Sequence, residues 1–304
     1  MTIRFDDRVA IVTGAGNGLG RSHALSLAAR GAKVLVNDLG GARDGTSSSL
    51  SAAQKVVEEI QAAGGEAMAN GASVTDAAAV QKMVDDVMQK WGRIDILVNN
   101  AGILRDKSFA KMDLQDFAVV MDVHLMGAVN CTKAVWGIMR QQNFGRVVFT
   151  TSSSGLFGNF GQSNYGAAKM ALVGLMNTLA IEGAKNDIRV NCLSPSAATR
   201  MTEDVIPAEA LKLLQPESVT PGLIWLVSEN GPSKTILGAG AGGFEVSNVT
   251  LTKGIFVPAS DDVAEQIEAQ RDVLVARDGE AVPGKGFEQI AAELGKAGYK
   301  LSLG

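Results

Sequence analysis

Val9-Ala-Ile-Val-Thr-Gly-Ala-Gly-Asn-Gly-Leu-Gly20 is the stretch whose reading decides the fold. Its first five residues are apolar or β-branched on both alternating faces, as in a strand that helices cover on two sides. The glycines that follow stand where that strand meets a helix. There they allow a tight turn and let backbone N–H groups approach a pyrophosphate, whose charge the helix N-terminus favours. The spacing is Thr-Gly-x-x-x-Gly-x-Gly on Gly14, Gly18 and Gly20, because Leu19 and Arg21 occupy the places where Gly-x-Gly-x-x-Gly needs its last glycine. Asn17 and Leu19 lie within the same turn and join the glycines as candidate cofactor contacts.

Outward from this turn, short β-branched runs recur at Lys33–Asn37, Ile94–Asn99, Arg146–Thr151 and Arg189–Leu193. Helical patterns separate them at Leu19–Arg30, Ser51–Ala63, Asp76–Trp91, Leu114–Gln141, Gln162–Ala184 and Val219–Ser228. That alternation predicts an α/β fold, a doubly wound parallel sheet of Rossmann type with helices on both faces. Residues 6–254 read as one such domain and 255–304 as a C-terminal helical extension. In the extension Val263, Ile267 and Leu274, then Phe287, Ile290 and Leu294, fall at helical spacing around Pro283-Gly284. Its helices cover apolar surface on the domain or on a neighbouring subunit, or close over substrate.

Composition narrows the function. The net charge of −4 and the lack of any Lys/Arg-rich block argue against a nucleic-acid partner. No apolar run reaches the roughly 18 residues of a membrane span. The charged N-terminus lacks a secretory signal and the C-terminus is not Ser-Lys-Leu, so the expectation is cytoplasmic. Two cysteines, Cys131 and Cys192, sit in apolar segments and read as core. With two isolated histidines they offer no metal site.

The second strand ends at Asp38, 20 residues after Gly18. A carboxylate there accepts hydrogen bonds from adenosine ribose hydroxyls and repels a 2′-phosphate, which favours NAD over NADP; a turn or cap aspartate is the plainer alternative. Leu39 follows it. Ser73-Val74, after the third strand, flank the adenine. After the fourth strand, Asn99-Asn100-Ala101-Gly102 let the cofactor lie against the backbone, while the asparagine amides also hold strand ends together.

Ser152 and Tyr165-Gly-Ala-Ala-Lys169 carry the chemistry. Tyr165 and Lys169 are four apart on a helix and project from one face, whereas the other tyrosine, Tyr299, has Leu303 at that offset. A phenol is a poor base at neutral pH until a nearby ammonium and an oxidised nicotinamide ring stabilise its phenolate. Tyr165 then exchanges a proton with an alcohol or ketone while hydride moves to or from the cofactor, and Ser152 hydrogen-bonds the same substrate oxygen. Lys169 lowers the tyrosine pKa and binds the nicotinamide ribose.

In this order the residues resemble the short-chain dehydrogenase/reductase family over roughly residues 6–250. Val36–Gly41, Asn99–Asp106, Gly158–Gln162 and Arg200–Thr202 look like the (3R)-hydroxyacyl-CoA dehydrogenase unit of peroxisomal multifunctional enzyme type 2. The resemblance implies NAD-dependent oxidation of a (3R)-3-hydroxyacyl-CoA, in fatty-acid or sterol side-chain β-oxidation. The competing substrate is the alcohol of a free sterol, as for a hydroxysteroid dehydrogenase; a catalytically silent NAD-binding regulator is the reading from another class. Where most of the family carries asparagine on the fourth helix, this chain has His124, which is either a link in the proton relay or a satisfied helix histidine. After the sixth strand, Pro195 and Ala197 imply backbone contacts to the nicotinamide, and Thr199 stands one residue early for the family's carboxamide-binding threonine. The resemblance also implies a substrate lid at about 196–216, within the domain of residues 6–254. Leu156, Phe157, Phe160 and Met201 are candidates for an apolar pocket, and Arg105, Lys107 and Lys111 for CoA phosphates, with core packing and solvation as the plainer alternatives. Apolar faces on the fourth and fifth helices predict a homodimer or homotetramer.

Overall fold

The apolar runs become strands of one sheet in the computed structural model, which describes residues 2–40, 51–197 and 208–301. The chain divides into two compact units, Met1–Val246 and Ser247–Gly304. The first opens with β1 (Val9–Thr13), α1 (Gly18–Ala29), β2 (Lys33–Asn37), α2 (Ser51–Ala62), β3 (Ala67–Asn70), α3 (Ala77–Trp91) and β4 (Ile96–Asn99). It continues through α4 (Leu114–Met121), α5 (Gly127–Gln142), β5 (Gly145–Thr150), α6 (Ser153–Phe157), α7 (Ser163–Gly183) and β6 (Ile188–Pro195). After them come α8 (Ala208–Leu213), α9 (Pro216–Leu226), β7 (Ile236–Gly240) and β8 (Gly243–Ser247).

The strand order is β3-β2-β1-β4-β5-β6-β7-β8, and β1 to β7 pair in parallel. Successive side chains of a strand face opposite ways, and β1 shows the result. Ala10 and Val12 join an apolar layer with Leu27 of α1, Ile60 of α2 and Leu223 of α9. Val9 and Ile11 join the other layer, with Val84 of α3, Val135 of α5 and Leu172 of α7. Both cysteines are buried in this second layer. The chain runs outward in both directions from the β1/β4 boundary, which leaves a crevice at the carboxyl ends of those strands.

Two expectations about helices change. The single helix over Leu114–Gln141 is interrupted by a π-helical turn at Asp122–Met126, which carries His124. The continuous helix through Val263 and Leu274 is divided at Gln270 into α10 (Val263–Ala269) and α11 (Arg271–Val275). With α12 (Phe287–Lys296) and an antiparallel bridge between Leu251 and Ala281, these make up the second unit, in which no described residue is buried. Among the described residues no helix is long and apolar enough to cross a membrane.

At the amino ends of the central strands, charges alternate across the sheet. Arg8 precedes β1 and meets Asp95, just before β4, at 3.1 Å; Arg146 in β5 meets Asp187, just before β6, also at 3.1 Å. Arg93 and Arg189 add further pairs at 2.7 and 2.9 Å. The guanidinium carbons of Arg8 and Arg146 lie 3.7 and 4.0 Å from the ring centroid of Phe144, so one aromatic ring serves both cations. Arg146 is fully buried and donates to the carbonyls of Gly145, Asp187, Ser228 and Glu229 at 2.7–3.1 Å. Its fork thus closes the ends of β5 and β6 and the turn after α9 together.

Arg146→Met keeps the length but takes one donor from each of four carbonyls, while Asp187 keeps Arg189. We expect a loss of about 1–3 kcal/mol in urea unfolding from the lost hydrogen bonds, with Arg146→Lys recovering only part of it. An unchanged midpoint for Arg146→Met would show that this row carries no stability.

Candidate active site

Thr13, the last residue of β1, ties the two strands that flank the crevice. Its hydroxyl accepts from the N–H groups of Asn100 and Ala101 at 3.0 and 3.1 Å and donates to the carbonyl of Val98 at 3.3 Å. The Asn100 amide returns the contact, donating to the carbonyls of Thr13 and Gly14 at 3.0 Å each. The glycine turn is closed against these groups. Gly14 holds a left-handed φ of +62°, and a Cβ on Gly20 would lie 2.2 Å from the Gly14 carbonyl oxygen. Gly20 therefore sits beneath the turn, whereas Gly14 and Gly18 line the cavity, Gly14 close against the Ala101 backbone, which a Cβ would meet at 2.8 Å. Asp38 accepts from the N–H groups of Gly16 and Gly40 at 2.7 Å each, so the carboxylate supports the turn as well as facing the crevice.

The crevice opens into a cavity of about 800 Å³. Gly14, Asn17, Gly18, Leu19, Asp38 and Leu39 line one end; Ser73, Val74, Asn100, Ala101 and Gly102 lie along it; His124, Ser152, Tyr165, Lys169, Pro195 and Ala197 line the rest. Thr199, Met201 and the rest of 198–207, within the expected lid, lie outside the described residues. Residues that sequence reasoning missed are Thr150, Ser154, Asn159 and Gln162, all on the same cavity wall. Phe157 and Phe160 are 76% and 89% exposed and do not line it. Leu156 packs against the apolar layer of α7 instead. Arg105 and Lys107 both bind Asp116, at 2.7 and 3.0 Å.

Ser152 caps α6, its hydroxyl accepting from Ser154 N–H at 3.2 Å. Tyr165 and Lys169 lie on the same face of α7, with the ammonium 5.4 Å from the phenol ring centroid. Lys169 is almost completely buried, and its Nζ donates to the Thr150 carbonyl at 2.5 Å. Burial dominates here. It pushes the Lys169 ammonium down to about 7. It pushes the Tyr165 phenol up to about 12, aided by the charge of Asp106 and opposed by the Ser152 hydroxyl. Removal from water disfavours both charged forms, the phenolate and the ammonium, and it is against this cost that Lys169 and an oxidised nicotinamide would act.

His124 is buried and lies edge-on to Tyr165, with ring centroids 5.2 Å apart at 87°. Its Nε2 faces both the N–H and the carbonyl of Ile103, at 3.1 and 2.8 Å, so either tautomer finds a partner there. Burial, then the charge of Lys169, hold the imidazole well below its ordinary pKa and so neutral. Among the described residues Nδ1 of His124 and Oδ1 of Asn99 are buried without partners, and both residues border a small void of about 10 Å³ that Lys169 also lines. His23, by contrast, does not line the cavity and lies against the hydroxyl of Thr220 at 2.9 Å.

The short chain dehydrogenase family model matches residues 8–210. The chain belongs to the short chain dehydrogenase family. It is therefore an oxidoreductase with a nicotinamide cofactor, and the glycine turn and cavity fit such a group: the wall near the turn is free of side-chain bulk at Gly14 and Gly18. Within the family, the chain is 45% identical over 301 residues to peroxisomal multifunctional enzyme A of Dictyostelium discoideum, spanning 99% of this chain and 67% of that one. It is 51% identical over 228 residues to peroxisomal multifunctional enzyme type 2 of Mus musculus, spanning 75% of this chain and 31% of that one. Among solved structures, full-length peroxisomal multifunctional enzyme type 2 of Drosophila melanogaster matches with a TM-score of 0.81 and 37% identity, over 98% of this chain and 51% of that one. Much of each multifunctional relative thus lies outside the match.

Gly102 and His124 are a matched pair: a Cβ on Gly102 would lie 2.2 Å from Cε1 of the imidazole. Gly102→Ala is expected to cost about 1–3 kcal/mol by forcing the ring off Ile103. Adding His124→Asn, a smaller side chain, should recover most of that loss in thermal unfolding. Equal melting of Gly102→Ala and the parent would show that the ring is not confined.

Proposed function

We propose that this dehydrogenase oxidises a (3R)-3-hydroxyacyl-CoA to the 3-ketoacyl-CoA with NAD, in fatty-acid or sterol side-chain β-oxidation. The observation that carries the reading is the convergence of Ser152, Tyr165 and Lys169 on the cavity that also holds the glycine turn and Asp38. Likeness to the multifunctional enzymes over nearly the whole chain points the same way. Oxidised NAD, when bound, supplies the hydride acceptor and a positive charge beside the phenol.

The chain's own residues do the rest. Gly14, Asn17, Gly18 and Leu19 take the pyrophosphate at the start of α1. Asp38 and Leu39 take the adenosine ribose, Ser73 and Val74 the adenine, and Asn100, Ala101, Gly102, Pro195, Ala197 and Thr199 the nicotinamide side. Ser152 donates to the substrate oxygen, and Tyr165 Oη takes its proton. Lys169 holds the ribose and stabilises the phenolate. His124, with a free Nδ1 beside a void large enough for about one water, forms the next link of the proton route. Homodimers or homotetramers belong to this reading, since Met170 and Ile181 of α7 are 39% and 53% exposed.

The second reading is a hydroxysteroid dehydrogenase. It is favoured by the match to 7α-hydroxysteroid dehydrogenase solved with NADH and 7-oxo glycochenodeoxycholic acid, at a TM-score of 0.71 and 30% identity over 79% of this chain and 95% of that one.

NADH formation with matched (3R)- and (3S)-3-hydroxyacyl-CoA thioesters separates the readings. Turnover of the R isomer alone is expected, and turnover of neither, with sterol alcohols active, would transfer the assignment. Tyr165→Phe should lower kcat about a thousandfold while NAD binding is largely retained; a rate like the parent's would overturn the mechanism. Asp38→Ala should narrow the preference for NAD over NADP and, because the Gly16 and Gly40 N–H groups lose their acceptor, raise the KM for NAD. A parent enzyme that already prefers NADP would refute the role given to Asp38.

A further inference from the structure

The loop after β4 is stitched to the start of α7 through three consecutive residues. The Arg105 carbonyl accepts from Asn164 Nδ2 at 3.1 Å, Asp106 Oδ2 accepts from Gln162 Nε2 at 2.7 Å, and Lys107 N–H donates to the Gly161 carbonyl at 2.9 Å. Asn164 is wholly buried, and its Oδ1 accepts the N–H of Tyr165 at 2.7 Å. Gln162 is the hub of the seam. Its Oε1 accepts from the Ser154 hydroxyl at 2.7 Å and from Asn159 Nδ2 at 3.1 Å, and the Ser154 N–H in turn donates to Ser152 Oγ. One amide thereby joins the Asp106 carboxylate, the segment that carries Ser152 and the helix that carries Tyr165.

We propose that Gln162 is a positioning residue which holds the carboxylate of Asp106 toward Tyr165, so that this single charge tunes proton transfer at the site. The other groups facing the phenol are the Lys169 ammonium on its own helix, the neutral His124 imidazole on the π-helical turn and the uncharged Ser152 hydroxyl. The two cations of the Asp106 loop, Arg105 and Lys107, are engaged by Asp116 on α4. Asp106 is therefore the one anion acting on Tyr165 from this loop, and its charge opposes formation of the phenolate. A carboxamide at 106 keeps an acceptor for Gln162 and removes the charge. Gln162→Ala keeps the charge and releases its hold.

The chain has two tyrosines, so in a Tyr299→Phe background Tyr165 is the sole phenol and ultraviolet titration reads it without any substrate. At a fixed alkaline pH below the midpoint, Asp106→Asn is expected to show about threefold more phenolate than its parent, a shift of about half a pH unit for a solvent-screened charge. Molar salt should shrink the difference. Gln162→Ala should move in the same direction, and adding it to Asp106→Asn should move the phenolate no further, because the two act as one unit. An unmoved phenolate fraction in Asp106→Asn, or an undiminished effect of Gln162→Ala in the Asp106→Asn background, would overturn the proposal. The kinetic arm rests on the function proposed above: with (3R)-3-hydroxyacyl-CoA, Asp106→Asn should move the acid limb of kcat/KM to lower pH. A parent without turnover of that thioester would refute the substrate class, while the phenolate titration would still decide the role of Asp106.

Discussion

The knot between Thr13 and Asn100 is the constraint on which the rest of the site depends. Parallel strands end with backbone groups that have lost their ladder partners, and here one hydroxyl and one amide from adjacent strands satisfy each other's ends. The same amide holds the carbonyl of Gly14, and that carbonyl is the atom against which Gly20 packs without a Cβ. A turn thin enough for a pyrophosphate is thus fastened directly to the strand that supplies the next wall of the cavity. Asp38 fastens the third side, through Gly16. The residues that would touch a nucleotide are held by polar groups that also complete the sheet.

Opposite ends of the strands serve opposite purposes. At the amino ends, Arg8, Asp95, Arg146 and Asp187 pair across neighbouring strands, and Phe144 lies against two of the cations. Those charges are nearly all partnered, which is the condition under which burial of a guanidinium is tolerated. At the carboxyl ends the accounting is left open. Among the described residues Lys169 is buried with a carbonyl as its hydrogen-bond acceptor and no carboxylate, Tyr165 is desolvated, and His124 and Asn99 each keep a polar atom without a partner. A site whose groups are poised to change protonation state cannot also be fully satisfied in one state.

His124 shows how local backbone and chemistry are joined. A π-helical turn brings an extra residue into the coil, and this is where the imidazole turns toward Ile103 and Tyr165. Room for the ring comes from Gly102, distant along the chain and adjacent in space. The small residues after β4 therefore serve two neighbours, a cofactor wall on one side and an imidazole on the other.

Much of this was legible in the sequence. The β-branched runs, the glycine spacing and the Tyr165/Lys169 offset each depend on residues within one or two turns of one another, and period alone places them on strands, at a junction or on one helix face; Asp38 was legible from its place at the end of the second strand. α6, β7 and β8 carry little of that period and give no such signal: α6 is only five residues long, and β7 and β8 are short and glycine-containing. Only the tertiary structure decided which polar atoms find partners and which charges lose water. The break in the fourth helix, the union of Asp106 with Gln162 and the burial that raises Tyr165 and lowers Lys169 all arise between segments far apart in the chain. Residue type and spacing determined which groups could do the chemistry, whereas desolvation and hydrogen bonding, which exist only once the chain is packed, decided the state in which they are held.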